Sequence, residues 1–125
     1  MSEQLREESA FRATTYRYDS HRLLLLKGPL DERAIAALEG ALLPLLQEEP
    51  RTPLVVDMAE VPHVAEAAYP TLFEASRLAA DRDVVVTFGC PPEAVMFELR
   101  AMGALRFMAL FESLPDAVEA ALTQR

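Results

Sequence analysis

Apolar positions along the chain fall into alternating strand-sized and helix-sized groups. Tyr16 and Tyr18 alternate with polar neighbours, which predicts an edge strand. Asp19-Ser20-His21 supplies turn chemistry. The apolar run Leu23–Leu26, between Arg22 and Lys27, reads as a strand buried on both faces and stopped by Gly28-Pro29. These two strands make a hairpin. Ile35, Leu38, Leu42, Leu45 and Leu46 then share one face of a helix. Asp31 is placed to cap it, and Pro44 bends it or weakens its end. Leu54-Val55-Val56 reads as a central strand ending at Asp57. A loop through Glu60, Pro62 and His63 leads to a second helix from about Ala67. Pro70 fits there because it stands in the first turn. Tyr69, Leu72, Phe73, Ser76 and Ala80 form the inner stripe of that helix.

After a charged turn at Asp81–Asp83, Val84–Phe88 reads as the fourth strand, ended by Gly89. Pro91 or Pro92 opens a third helix with Val95, Met96, Leu99 and Met102 inward, closed by Gly103. Leu105–Leu110 supplies a short fifth strand. Ser113-Leu114-Pro115-Asp116 reads as a capping box ahead of a helix that buries Val118, Ala121 and Leu122. Strands alternating with helices imply an α/β domain: a mixed, mostly parallel sheet of about five strands with an N-terminal β-hairpin, packed by about four helices. Residues 1–10 lack an apolar face and read as a flexible arm, with the domain over 11–125.

Composition narrows the function more than the fold. A length of 125 residues suits one domain. The formal net charge is -8, and the twelve Lys and Arg are scattered. That argues against nucleic acid and against attraction to anionic membranes. No apolar run approaches the roughly 20 residues of a membrane span, so no membrane insertion is expected. The polar N-terminus does not read as a secretory signal, and one cysteine forms no internal disulfide or paired-cysteine metal site. Together these point to the cytoplasm. The four glycines are isolated, so no Gly-rich phosphate loop is present. No nucleophile–base order and no metal spacing appears either. No catalytic residue, metal or cofactor is therefore expected, and an enzyme is the least favoured class.

Three patches, in order, resemble the STAS domain, the fold shared by anti-sigma factor antagonists and the cytoplasmic tails of sulfate transporters. Gly28-Pro29-Leu30-Asp31 resembles the family's Gly-x-Leu-Asp after the second strand. Leu54-Val55-Val56-Asp57-Met58 resembles its third strand, and Val61, Val64 and Leu72 keep the apolar spacing around its regulatory loop. The Val-rich strand, the region from Phe107 to Phe111 and the Ala-rich final helix also agree. The resemblance covers roughly residues 15–122 and implies a single STAS-like domain. In phosphorylatable members the loop reads Asp-Ser-Ser-Gly at a helix start, where N–H groups and the helix dipole favour an anion. The matching positions here are Ala65, Glu66, Ala67 and Ala68. The acceptor position falls on Ala67, so the resemblance implies a degenerate member without the phosphoacceptor serine.

Single residues carry competing readings. Glu66 is first a solvated acid at a helix start, stabilising by roughly 0.3–1 kcal/mol. Its sharper reading is a fixed charge imitating a phosphorylated state. Asp57 can contact a partner or satisfy loop N–H groups, the commoner fate. His63 reads as loop packing or solvent contact, Cys90 as a small buried hydrophobe. Phe97 and Phe107–Phe111 are either a wide core face or a partner surface. The leading reading is a non-enzymatic regulatory module of bacterial signalling and transcription regulation. It would bind a protein such as an anti-sigma factor through Asp31, Asp57, His63, Glu66, Ala67, Ala68 and Tyr69. The alternatives are a structural subunit of an oligomeric STAS scaffold or transport-associated complex, including a homodimer, and a small-ligand-binding domain.

Overall fold

The computed structural model describes residues 10–123; residues 1–9 of the expected arm lie outside the described residues. The elements are β1 (Arg12–Arg17), β2 (Arg22–Lys27), α1 (Ile35–Leu42), β3 (Leu54–Glu60), α2 (Tyr69–Asp81), β4 (Val86–Gly89), α3 (Glu93–Ala101), β5 (Leu110–Phe111) and α4 (Leu114–Thr123). They form one five-stranded mixed sheet in the order β1-β2-β3-β4-β5. β1 and β2 are an antiparallel hairpin, and every later pairing is parallel. This is the α/β architecture expected from the pattern.

A strand order that never reverses has a consequence. Right-handed crossovers all taken in one direction put α1, α2 and α3 on the same face of the sheet. There the main core joins Leu24, Leu26, Val56 and Phe88 of the strands to Leu38, Leu42, Leu72 and Leu99 of the helices, all buried. Each such side chain stabilises the fold by about 1.5–3 kcal/mol on burial. α4 alone covers the opposite face, over β3, β4 and β5. A second, smaller core of Val55, Ala117 and Ala121 lies beneath it. Leu23 and Leu25 of β2 point to that face and are only half-buried, because one helix does not reach across the whole sheet. The reading of β2 as buried on both faces is corrected accordingly.

Other expectations shift for local reasons. β1 starts at Arg12 because the ladder runs from Arg12–Lys27 to Arg17–Arg22. Tyr18 falls in the turn, where its N–H donates to the His21 carbonyl at 2.9 Å. α1 stops at Leu42, and Pro44–Gln47 continues as a 3-10 turn that still buries Leu45 and Leu46. β3 runs on to Glu60, so Asp57 lies within the strand rather than ending it. Val84 does not enter β4. Asp83 takes a left-handed backbone (φ 59), which turns the Val84 N–H onto the Ala79 carbonyl at 2.8 Å. The fifth strand is only Leu110–Phe111, since Gly103 (φ 76) ends α3 and Ala104–Arg106 forms a 3-10 turn. Met102 and Ala80 are exposed, not inward.

In α4 the fully buried residues are Ala117 and Ala121, with Val118 and Leu122 half-buried. Small residues let the helix lie close to the sheet. A Cβ on Gly89 would stand 3.1 Å from the Ala117 Cβ. Thr87, also fully buried, donates from Oγ1 to the Ala117 carbonyl at 2.9 Å. Thr87→Val keeps the shape and removes this bond. It is expected to cost about 1 kcal/mol. Urea unfolding measures it, and an unchanged midpoint would show that the bond does not anchor α4.

Candidate functional site

The loop between β3 and α2 sits at the carboxyl edge of the parallel strands and is pinned from one side. Gly28 N–H donates to the Glu60 carbonyl at 3.0 Å, Leu30 N–H to the His63 carbonyl at 3.1 Å, and Ala65 N–H to the Leu30 carbonyl at 2.9 Å. Leu30 and Val64 form an isolated parallel bridge. Leu30, Val61 and Val64 are buried under it. The segment after β2 thus acts as a short extra strand that fixes the loop's shape. Asp31 follows at once, its carboxylate accepting from the Arg33 N–H at 3.0 Å and pairing with the Arg33 guanidinium at 3.3 Å. It caps the turn at Glu32–Ala34, as its position in the sequence suggests.

The seven candidate residues separate into two sets. His63, Glu66 and Ala67 are exposed, with Pro62 beside them, and Asp31 is half-buried. Asp57, Ala68 and Tyr69 are buried at 8%, 0% and 5% exposure. Asp57 Oδ1 accepts the Ala59 N–H at 3.0 Å, so it holds the strand's own backbone. Ala68 packs into the core where the 3-10 turn Glu66–Ala68 passes into α2. The Tyr69 hydroxyl donates to the Glu98 carboxylate, linking α2 to α3. Burial first, then Glu98 and then Glu66, pushes the Tyr69 pKa well above the ordinary tyrosine value. A phenolate there would be desolvated beside two carboxylates, so Tyr69 stays a neutral donor.

Cys90 closes β4 in a left-handed backbone (φ 58), with its N–H on the Phe111 carbonyl at 2.9 Å. It is half-buried rather than fully buried. Among the described residues no three His, Cys, Asp or Glu side chains gather as metal ligands. No helix among them is long and apolar enough to cross a membrane. An unreversed strand order also removes the crevice between opposed crossovers where open α/β sheets usually take ligands. Glu98 escaped the sequence reading, since a carboxylate beside Phe97 on a helix carries no sign that a tyrosine from another helix reaches it.

A pinned loop at the carboxyl edge and a strand order without reversal define a small α/β module with three helices on one face of the sheet and one on the other. The sequence matches the STAS domain over residues 12–117, and the chain belongs to that family. Its fold is similar to an anti-sigma factor antagonist from Mycobacterium paratuberculosis, with TM-score 0.79 and 18% identity over 90% of this chain and 95% of that one. It is similar to the Bacillus cell fate determinant SpoIIAA in its phosphorylated form, with TM-score 0.67 and 12% identity over 89% and 98%. It also resembles part of the murine Solute Carrier 26 family member A9 anion transporter, with TM-score 0.78 and 13% identity over 98% of this chain and 24% of the transporter. No curated protein matches the sequence.

Proposed function

We propose that this protein is a non-enzymatic regulatory module of the anti-sigma factor antagonist kind, which binds a protein partner through a fixed edge instead of a serine switch. One observation carries the reading. The first turn after the pinned loop exposes Glu66 and Ala67, and Ala67 has no hydroxyl to modify. The structurally similar SpoIIAA takes a phosphorylated form, which supports comparing this edge with a phosphate-bearing one. Ala67 stands at the matching acceptor position and keeps the surface in one state. Glu66 adds one fixed charge beside it, less than the -1.5 to -2 or so of a phosphate. Binding is then set by concentration, assembly or another polypeptide. The reading places the protein in the bacterial cytoplasm, in signalling or transcription regulation, with no cofactor. Buried Asp57, Ala68 and Tyr69 shape the edge, while Asp31, His63, Glu66 and Ala67 meet the partner.

The test is capture of partners from the source organism with the wild-type chain and with Ala67→Glu as baits. Ala67 is exposed, so the variant keeps the fold while adding charge where phosphate would. The expected result is a regulatory protein recovered by the wild type and reduced about tenfold or more with the variant, equivalent to about 1.4 kcal/mol. Purified components should reproduce that ratio. Equal recovery of every partner with both baits would sink the reading.

A further inference from the structure

Next to this edge, and sharing Glu66 and Tyr69 with it, the helix layer carries a second feature on its flank. Phe97 and Met102 of the α3 region are 73% and 56% exposed. They line a groove of 510 Å³ between α2 and α3, with Tyr69, Pro70, Phe73 and Ala101 as the other apolar walls. Phe107, 54% exposed, stands edge-on to Phe73 with ring centroids 5.4 Å apart, which extends the apolar surface. Two carboxylates, Glu66 and Glu98, line the same groove.

The electrostatic state of those carboxylates is informative. Some acids on the flanks of these helices have cations: Glu74 and Asp81 pair with Arg77, and Glu112 pairs with Arg100. Among the described residues neither Glu66 nor Glu98 forms an ion pair. Glu98 is held in place by the Tyr69 hydroxyl, so its charge is positioned rather than swinging free. A second copy of the chain is a poor occupant. It brings a net charge of -8 toward two uncompensated carboxylates. An apolar trough between two helices with fixed negative charge suits an amphipathic helix with basic residues flanking its apolar stripe.

We propose that the α2–α3 groove docks an amphipathic helix of a protein partner, seating its apolar side chains on Phe73, Phe97 and Met102 and a Lys or Arg against Glu66 and Glu98. The partner class rests on the reading of the chain as a protein-binding module. The groove shares Glu66 and Tyr69 with the edge, but Ala67 does not line it.

The probe is a fluorescein-labelled synthetic peptide of about four helical turns, with leucines at i, i+4 and i+7 and Lys or Arg flanking them. Fluorescence anisotropy is read against the intact protein. Saturable binding is expected at a Kd on the order of 10–100 μM at low salt. Phe97→Ser should weaken it about tenfold, and the pair Glu66→Gln with Glu98→Gln by about as much, the latter gap closing as salt rises. An otherwise identical peptide with Glu in place of Lys and Arg should bind about tenfold or more weakly. Thermal melts check that each variant is folded; Phe97 is exposed and Gln still accepts from Tyr69. Equal binding of basic and acidic peptides, no binding of either, or indifference to Phe97→Ser would each overturn the proposal. So would light scattering that shows a dimer dispersed by Phe97→Ser, which would give the groove to a second copy. Phe97→Ser lies in the groove and outside the edge, and Ala67→Glu lies on the edge and outside the groove lining, so loss of peptide binding with the first and loss of partner capture with the second are distinguishable.

Discussion

Replacing Arg22 with methionine is expected to lower stability by about 2–4 kcal/mol. Arg22 opens β2 yet is only 3% exposed. Its guanidinium donates to the Leu45 carbonyl at 2.5 Å and to the Thr52 carbonyl at 2.5 Å, and pairs with Glu48 at 3.3 Å. One side chain thereby ties the end of the first helical segment and the approach to β3 onto the hairpin. Burial, the first cause, lowers the Arg22 pKa despite the attraction of Glu48. The group stays charged because guanidinium begins so far above neutral pH. Methionine fills much of the volume and removes the charge, but leaves two carbonyls without their donor. The melting temperature should fall by roughly 10 °C for a domain of this size. Arg22→Lys should recover only part, since one ammonium cannot span both carbonyls as the planar fork does. Glu48→Gln should cost much less, because Glu48 is 36% exposed and remains solvated. Glu48's pKa is held below the ordinary carboxylate range, chiefly by the hydrogen bond from Arg17. Its contribution is therefore present at neutral pH and fades as pH falls through that lowered value. A melting temperature for Arg22→Met within a degree or two of wild type would overturn this account.

The hydrophobic pattern disclosed the sheet and its helices because burial periodicity is a local property. Leu24, Leu26, Val56 and Phe88 read as strand interior from their neighbours alone, and they are core. What the pattern could not carry was the partner of each polar group. Arg22 read only as the residue that opens the Leu23–Leu26 strand, and its burial depends on carbonyls 23 and 30 residues away. Asp57 read as a strand terminus at an active edge, yet the ladder with β2 and β4 continues through it. Tyr69 read as inner stripe and is buried, but its hydroxyl partner on α3 lies 29 residues on. Phe97 was legible only as an apolar residue that belonged to a wide core face or to a partner surface. Whether that made a wider core or a surface depended on where α2 and α3 diverge, which no single-helix pattern contains. The position of the β3–α2 loop was legible through the resemblance of Gly28–Asp31 and the third strand to the STAS pattern, and the structure adds why a glycine stands at Gly28: φ is 95 and backbone lies close by.

Gly28→Ala is the sharpest test of that last point, with an expected loss of about 2–4 kcal/mol. Gly28 has φ 95, where a side chain is strained whatever the space around it. A Cβ there would also stand 2.8 Å from the Ala10 carbonyl oxygen and 3.1 Å from the Phe11 Cα. Both neighbours are backbone, so relief requires moving the start of the sheet or the turn itself. The turn cannot move alone. Gly28 N–H holds Glu60, and two residues later Leu30 exchanges bonds with His63 and Ala65. Strain at Gly28 therefore reaches the exposed residues His63, Glu66 and Ala67 through backbone hydrogen bonds rather than through side-chain contacts. Hydrogen exchange should show faster exchange of the Leu30 and Ala65 amides before global unfolding. Gly40→Ala is the matched control: Gly40 lies in α1 with nothing within 4 Å of the new Cβ. It should stabilise the chain by roughly 0.5–1 kcal/mol, since alanine is the better helix former. Opposite signs at the two glycines would show that the edge is held by conformation and close packing at one point. Equal small effects would mean that the loop keeps its shape without that turn.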